Sequence, residues 1–448
     1  MTDKLSIRSD SPVSSRADLS VDSAALAEVA DRLEKTVANM PRKNARSPKE
    51  QRDVQAVLAS VRRSRRLFLD CHIDAVYDTL TGSRTIPRRI SELLVDVAAK
   101  FPGLVPSQRI RDAESGRIQA EKEGWDIDIA LFYSMILSSP LAGRHLIDSM
   151  RAPALHSMEY IEQFSSTGIV ELPTVHIERI DCTAHITFRN GSCLNAEDNQ
   201  LTEDIETAVD LVLLDDKVRV GVLRGGEVDL PRYRGRRVFS AGINLTELRN
   251  GNISFVDFIL GRELGYINKI LRGGLVGVDE LTLRPREVQK PWIGVVDTFA
   301  IGGGVQLLLV LDHVIAETTA FFSLPAAAEG IVPGLANLRL TKAAGGRLAR
   351  QLILGGRRID AADPDARFLC DQVVPPDQID AALDTAIRDL SSAAAVVNRR
   401  MLTLAEEPID RYREYLAEFA VVQAERMQSS DVLAKIERRW QDRRRRPQ

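Results

Sequence analysis

Two short glycine-bearing turns, each entered from an apolar run and left through a helix-like stretch, constrain this chain more than any other feature. The first is Phe239-Ser240-Ala241-Gly242-Ile243-Asn244-Leu245, preceded by the buried-strand run Val218 to Leu223. The second is Ala300-Ile301-Gly302-Gly303-Gly304-Val305-Gln306, preceded by Trp292 to Val296. Glycine at such a turn lets backbone N–H groups approach a ligand closely, and the start of a helix adds the positive end of its dipole. Two convergent N–H donors suit a developing enolate or tetrahedral oxygen, and one donor of this kind is typically worth roughly 3 to 4 kcal/mol. The pair therefore points to chemistry at a carbonyl.

The turns sit in a region of α/β character. From Thr174 onward short β-rich runs alternate with helical stretches, which predicts a mainly parallel sheet. Before it, from about Val21 to Phe164, apolar residues recur at helical spacing in Leu26 to Val37, Val54 to Leu69 and Ile90 to Phe101, punctuated by prolines such as Pro41, Pro87 and Pro102. After Val374 the pattern is helical again. The expected organisation is a disordered tail over 1–20, a helical N-terminal domain over 21–170 and a catalytic domain over 171–448, whose last helices, about 378–448, serve oligomerisation. The N-terminal region carries no evident catalytic set. It is expected to pack against the core or a neighbouring subunit, and it can also cover the pocket.

Composition narrows the function classes. With 448 residues and 44% hydrophobic content, the chain can bury a large core in more than one region. A net charge of −3 gives no cause to expect nucleic-acid or membrane partners. Arg443 to Arg446 is a short run without interleaved aromatics and reads as a solvated tail. Cys71, Cys182, Cys193 and Cys370 lack paired spacing, which fits free thiols in a reducing compartment and argues against zinc. Met1 to Ser20 is polar rather than basic then apolar, and no uncharged run reaches the roughly 18 residues of a spanning helix. The expectation is a cytoplasmic enzyme.

Further blocks accompany the two turns in order: Leu194-Asn195-Ala196, Lys290-Pro291-Trp292-Ile293-Gly294-Val295-Val296, Gly330-Ile331-Val332-Pro333-Gly334 and Leu354-Gly355-Gly356-Arg357-Arg358-Ile359. Together they resemble the crotonase superfamily of acyl-CoA enzymes across roughly Val175 to Ala386. The resemblance implies an α/β fold built as a crotonase-type ββα spiral with a helical N-terminal domain and C-terminal helices. It also implies an oxyanion hole formed by the N–H groups of Ile243 and Gly303, and homo-trimers or hexamers joined through C-terminal helices.

The departures from the family pattern carry as much information. Where many family hydratases place two glutamates, this chain has Gln306 and Ala326. Neither an amide nor a methyl group exchanges protons at neutral pH, so simple enoyl-CoA hydration is disfavoured. Glu329 lies three residues past Ala326, an offset that places it elsewhere on the turn. The altered pair, taken with the N-terminal region, resembles the branch of cofactor-free dioxygenases that act on 3,5-dihydroxyphenylacetyl-CoA in glycopeptide-antibiotic biosynthesis. That branch uses no metal, flavin or haem; its partners are the aryl-acetyl-CoA substrate and O2.

The resemblance further implies Glu197, Arg262 and Gln306 for recognition of the ring hydroxyls. Read alone, Arg262 on the helix-like stretch Phe255 to Leu271 is a surface charge or ion-pair partner, and Glu197 a helix-start carboxylate. An apolar place for O2 beside Cα is expected at Leu245, Val305 and Ile331, with the side chain of Ile243. Arg234, Arg236 and Arg237, just before the first turn, are expected at the CoA phosphates. No residue presents itself as the base for the Cα proton. The rival readings are another acyl-CoA enzyme of the superfamily, such as a thioesterase, decarboxylase or isomerase, and a non-catalytic scaffold.

Overall fold

The computed structural model describes residues 18–278 and 285–445. Strand formation follows the apolar runs. Trp292–Val296 is buried at every position, as a strand covered on both faces must be. It lies inside a sheet of order Ile169–Glu171, Val175–Ile180, Thr183–Phe188, Val220–Gly225, Trp292–Val296, His313–Glu317, Gln372–Val374. The first two pairings are antiparallel and the rest parallel. A smaller sheet joins Phe299–Ile301 in parallel to Phe321–Ser323, which pairs antiparallel with Arg358–Asp360. The two glycine turns leave these sheets side by side, since Ser240 bridges Ala300 and the Ile301 N–H donates to the Ser240 carbonyl at 2.9 Å.

The N-terminal region is helical, beginning with Leu19–Ala38, capped by the Asp18 carboxylate, and the 34-residue helix Pro48–Thr81, which opens on a capping box of Ser47 and Glu50. Leu19 and Ser20, the end of the expected tail, are therefore in helix, while residues 1–17 of that tail lie outside the described residues. The Arg443–Arg446 run also ends outside them. One apolar core joins the N-terminal helices to residues 248–264 and 412–436. The C-terminal helix Ile409–Gln428 packs along Asp126–Ser138 of the same chain, burying Tyr412, Leu416, Phe419 and Ala420. Its apolar face is thus occupied within the subunit. The preceding helix Ala393–Glu406 instead leaves Val397, Met401 and Leu404 exposed at helical spacing.

The stretch expected as one helix over Phe255 to Leu271 is divided. Phe255–Leu260 is a π-helical turn, Gly261–Leu264 is α-helical, and Tyr266–Arg272 starts anew after Gly265. The break falls at Gly265, whose φ of −87° and ψ of −111° are not helical, and no side chain fits there. A Cβ at Gly265 would lie 2.5 Å from the Gly261 carbonyl oxygen and 2.9 Å from Glu206 Oε1. Turns of the π type recur at functional sites, and this one leads into the short turn that carries Arg262.

Candidate active site

The two turns meet closely enough that a Cβ on Gly242 would lie 3.4 Å from the Gly303 nitrogen. Glu197 bridges Ile243 in parallel register through its neighbours: the Glu197 N–H donates to the Gly242 carbonyl at 2.7 Å and the Asn244 N–H to the Glu197 carbonyl at 2.8 Å. That pairing uses the Gly242 carbonyl and the Asn244 N–H and leaves the Ile243 N–H out. Gly303 opens the helix Gly303–Leu308, so its N–H has no intrahelical acceptor. Among the described residues neither amide donates to a backbone carbonyl. Asn244 fixes the exit from the first turn by capping Leu245–Asn250.

Beneath the turns lies a buried polar cluster. Glu197, Arg262 and Glu263 are 3%, 4% and 2% exposed, so each charge must find its partners inside the protein. Arg262 Nε donates to Glu197 Oε2 at 2.5 Å, and Nη2 to the Gly303 carbonyl at 2.8 Å and to Glu197 Oε1 at 3.4 Å. Its Nη1 donates to Glu263 Oε1 at 3.0 Å and Gln306 Oε1 at 2.9 Å. All five guanidinium N–H groups are therefore engaged. Burial opposes the Arg262 charge, yet Glu197, Tyr266 and Glu263 outweigh it and raise its pKa above the ordinary value. Glu197 also accepts from Tyr266 Oη at 3.2 Å and Ser240 Oγ at 3.3 Å, and Ser240 Oγ accepts from the Gly242 N–H. The first turn, Glu197, Arg262 and the second turn thus form one connected unit. It also explains the glycine: a Cβ at position 303 would fall 2.2 Å from Glu197 Oε1.

The cluster continues away from the turns. Arg339 lies 3.6 Å from Glu263 Oε2 and pairs with Glu407 at 2.9 Å, and Glu407 accepts from Arg272 at 2.8 Å. Burial works to raise the Glu407 pKa, but Arg339 and Arg272 prevail and bring it down to about 2. Sequence reading missed Glu263, Arg339 and Glu407. The adjacent Arg262-Glu263 pair is the one local signal, and it reads as two charges on a helix surface.

The turns and the cluster line a cavity of about 560 Å³. Ile243, Gly303, Glu197, Arg262, Gln306, Leu245 and Ile331 all line it, as does Ala326. Its apolar side, including Ile243, Leu245 and Ile331, is packed against the core that holds the N-terminal helices, so that region supports the cavity wall as well as the fold.

Several expected site residues lie elsewhere. Val305 is fully buried in the core of the spiral and does not line the cavity. It is one residue from Gln306, and about 100° of helical rotation turns it from the cavity to the sheet. Arg234, Arg236 and Arg237 are also outside the cavity lining: Arg234 pairs with Asp229, Arg236 with Glu317, and Arg237 donates to the Gly225 carbonyl. Glu329 stands at the cavity edge, ion-paired with Arg439 of the last helix.

The chain is similar to known proteins over the region that carries the site. The sequence pattern described as enoyl-CoA hydratase/isomerase matches residues 178–439. The (3,5-dihydroxyphenyl)acetyl-CoA 1,2-dioxygenase of Amycolatopsis orientalis is 50% identical over 427 residues, covering 95% of this chain and 98% of that one. A probable enoyl-CoA hydratase of Rhizobium meliloti (strain 1021) is 35% identical over 231 residues, 49% of this chain and 80% of that one. Among solved structures, the enoyl-CoA hydratase/isomerase from Pseudoalteromonas atlantica T6c aligns at 21% identity with a TM-score of 0.49, covering 61% of this chain and 99% of its own.

Proposed function

This chain belongs to the enoyl-CoA hydratase/isomerase family, and we propose that within it the protein is a dioxygenase converting 3,5-dihydroxyphenylacetyl-CoA and O2 to 3,5-dihydroxyphenylglyoxylate and CoA. The observation that carries this reading is likeness along nearly the whole length, N-terminal helices included, to a relative of that activity. Gln306 and Ala326 in the cavity lining support it against hydration, because neither can hold and exchange a water proton.

The chemistry needs neither metal nor organic cofactor. The Cα proton of an arylacetyl thioester is acidic because ring and thioester both delocalise the carbanion, and the Ile243 and Gly303 N–H groups are set to stabilise the enolate oxygen. The enolate itself is the reductant for O2. Recombination gives a peroxide at Cα, which attacks the thioester carbonyl, expels CoA and leaves the α-keto acid. Leu245 and Ile331, with the Ile243 side chain, form the apolar place for O2. Val305 is left out of that role.

Arg262 spends its donors inside the protein, so its part is to hold Glu197 and Gln306. Because a guanidinium only donates, Gln306 turns Oε1 toward it and leaves Nε2 to meet a ring hydroxyl. A site built this way discriminates against an acyl group lacking the hydroxyl, whose absence leaves a half-buried donor unpaired. Arg234, Arg236 and Arg237 stay in the reading as CoA phosphate contacts outside the acyl cavity.

The protein is proposed to be cytoplasmic, to act in antibiotic biosynthesis, and to form homo-trimers or hexamers through the exposed Val397, Met401 and Leu404 face. Among the described residues no helix is long and apolar enough to cross a membrane.

The test is oxygen uptake and CoA release by metal-stripped protein given 3,5-dihydroxyphenylacetyl-CoA, in air and under argon. Stoichiometric uptake and release in air, with neither under argon, is the expected result. Release under argon means a thioesterase and overturns the reading.

A further inference from the structure

The cavity contains three carboxylates, and they are not equivalent. Glu197 accepts four hydrogen bonds, from Arg262 Nε and Nη2, Tyr266 Oη and Ser240 Oγ. Glu329 is held by Arg439 at the cavity edge. Glu263 is different: Oε1 accepts from Arg262, while Oε2 is buried with no hydrogen-bond partner among the described residues and lies 3.6 Å from Arg339. The remaining candidates are weaker still. Gln306 is an amide, and burial pushes the Cys193 thiol up, away from the thiolate.

From this we infer that Glu263 is the base that accepts the Cα proton, an assignment that rests on the dioxygenase reading. Its carboxylate lies beside Gln306. The two share Arg262 Nη1, and a Cβ added to Gly334 would meet Glu263 Oε1 at 2.2 Å and Gln306 Oε1 at 2.6 Å. The proton-accepting group absent from positions 306 and 326 is thus supplied from the short α-helical turn Gly261–Leu264, beside Gln306. A carboxylate withdrawn from water is costly to keep charged, so it gains by taking a proton. Burial as the dominant influence raises the Glu263 pKa in the same sense.

The step balances. The Cα–H bond breaks and its electron pair enters the enolate, with charge on the oxygen facing Ile243 and Gly303; the proton forms an O–H bond on Glu263. O2 oxidises the enolate to the Cα peroxide. When the peroxide closes on the thioester carbonyl and the C–S bond breaks, the departing thiolate takes the proton from Glu263 and leaves as free thiol. The O–O bond then breaks as the second Cα hydrogen leaves as a proton to solvent, giving the α-keto carboxylate. The carboxylate is restored for the next turnover.

The experiment compares wild type with Glu263→Gln, which keeps shape and the Oε1 acceptor but not the basic oxygen. Both are assayed by O2 uptake with ordinary and α,α-dideuterated 3,5-dihydroxyphenylacetyl-CoA. The expected result is a kcat lower by about 10²- to 10³-fold, KM within about threefold, and a larger deuterium isotope effect than wild type. A kcat within about threefold of wild type overturns the assignment, as does a loss carried by KM or an unchanged isotope effect. Should Glu263→Gln fail to fold, Glu263→Asp decides: reduced kcat with an enlarged isotope effect supports the base, and wild-type values overturn it. Wild type lacking O2 uptake would defeat the dioxygenase reading itself, whereas an active wild type matched by the variant defeats only the role of Glu263.

Discussion

The two sides of the acyl cavity are built by different physics. The polar side is a chain of alternating charges, Glu197–Arg262–Glu263–Arg339–Glu407–Arg272, drawn from segments far apart in sequence. The apolar side, Ile243, Leu245 and Ile331, is held by packing against a core shared with the N-terminal helices. A packed wall responds to a lost methyl group in proportion, because neighbouring side chains relax. A buried charge chain does not. Removing one member leaves another charge unpaired at a cost of about 3 to 5 kcal/mol. Position is therefore fixed far more rigidly on the polar side of the cavity than on the side proposed to receive O2.

The sharpest test of this contrast is Gly303→Ala. The new methyl group would sit 2.2 Å from Glu197 Oε1, and Glu197 is held by Arg262, Tyr266 and Ser240, so the turn must move instead. Moving it displaces the proposed oxyanion donor, and the expected outcome is a kcat lower by about 10²- to 10³-fold. Thioester turnover with the protein's melting temperature recorded alongside checks it. A variant at near wild-type rate would mean that the polar side is as yielding as the apolar one.

How much of this was legible in the sequence divides along the same line. The turns and the strands were readable because their signals are local: continuous apolar runs such as Trp292–Val296, ended by glycines. The polar side was readable only in fragments. Glu197, Arg262 and Gln306 came from a resemblance, and Glu263 passed unnoticed because a charge beside Arg262 on a helical stretch looks solvated. Nothing near Glu263 announces Arg339 or Glu407; only the fold brings those segments together. The break at Gly265 was missed for a similar reason, since Glu206, which leaves no room for a side chain there, lies on another helix. Val305 was misplaced by a single residue, which in a helix is enough to exchange cavity for core.

The far end of the charge chain offers a smaller effect, read in stability. Arg339 and Arg272 hold Glu407 at a pKa of about 2 against an unfolded value of 4.5. A depressed folded pKa means the stabilisation is present above the unfolded value and is lost as pH falls from about 4.5 toward 2. Its size is about 3 kcal/mol. Urea unfolding of wild type between pH 6 and 3 should show about 2 kcal/mol of this loss, and Glu407→Gln should start lower and respond less to acid. Equal slopes in the two proteins would show that the chain ends before Glu407.

The smallest effects belong to the apolar side, where two neighbouring substitutions should part company. Val305 is fully buried in the core of the spiral, and Val305→Ala removes two methyl groups there, lowering stability by about 2 kcal/mol. It does not line the cavity, so the KM for O2 should stay at the wild-type value. Leu245 is half-buried and lines the cavity; Leu245→Ala should cost less stability while changing the KM for O2 by about three- to tenfold, the scale of one or two methylene contacts in an apolar site. Chemical denaturation and O2-dependent kinetics on the pair separate the roles. If Val305→Ala shifts the KM for O2 as much as Leu245→Ala does, then the core and the cavity wall are one compliant body, and graded relaxation extends through the sheet rather than stopping at the surface facing the substrate.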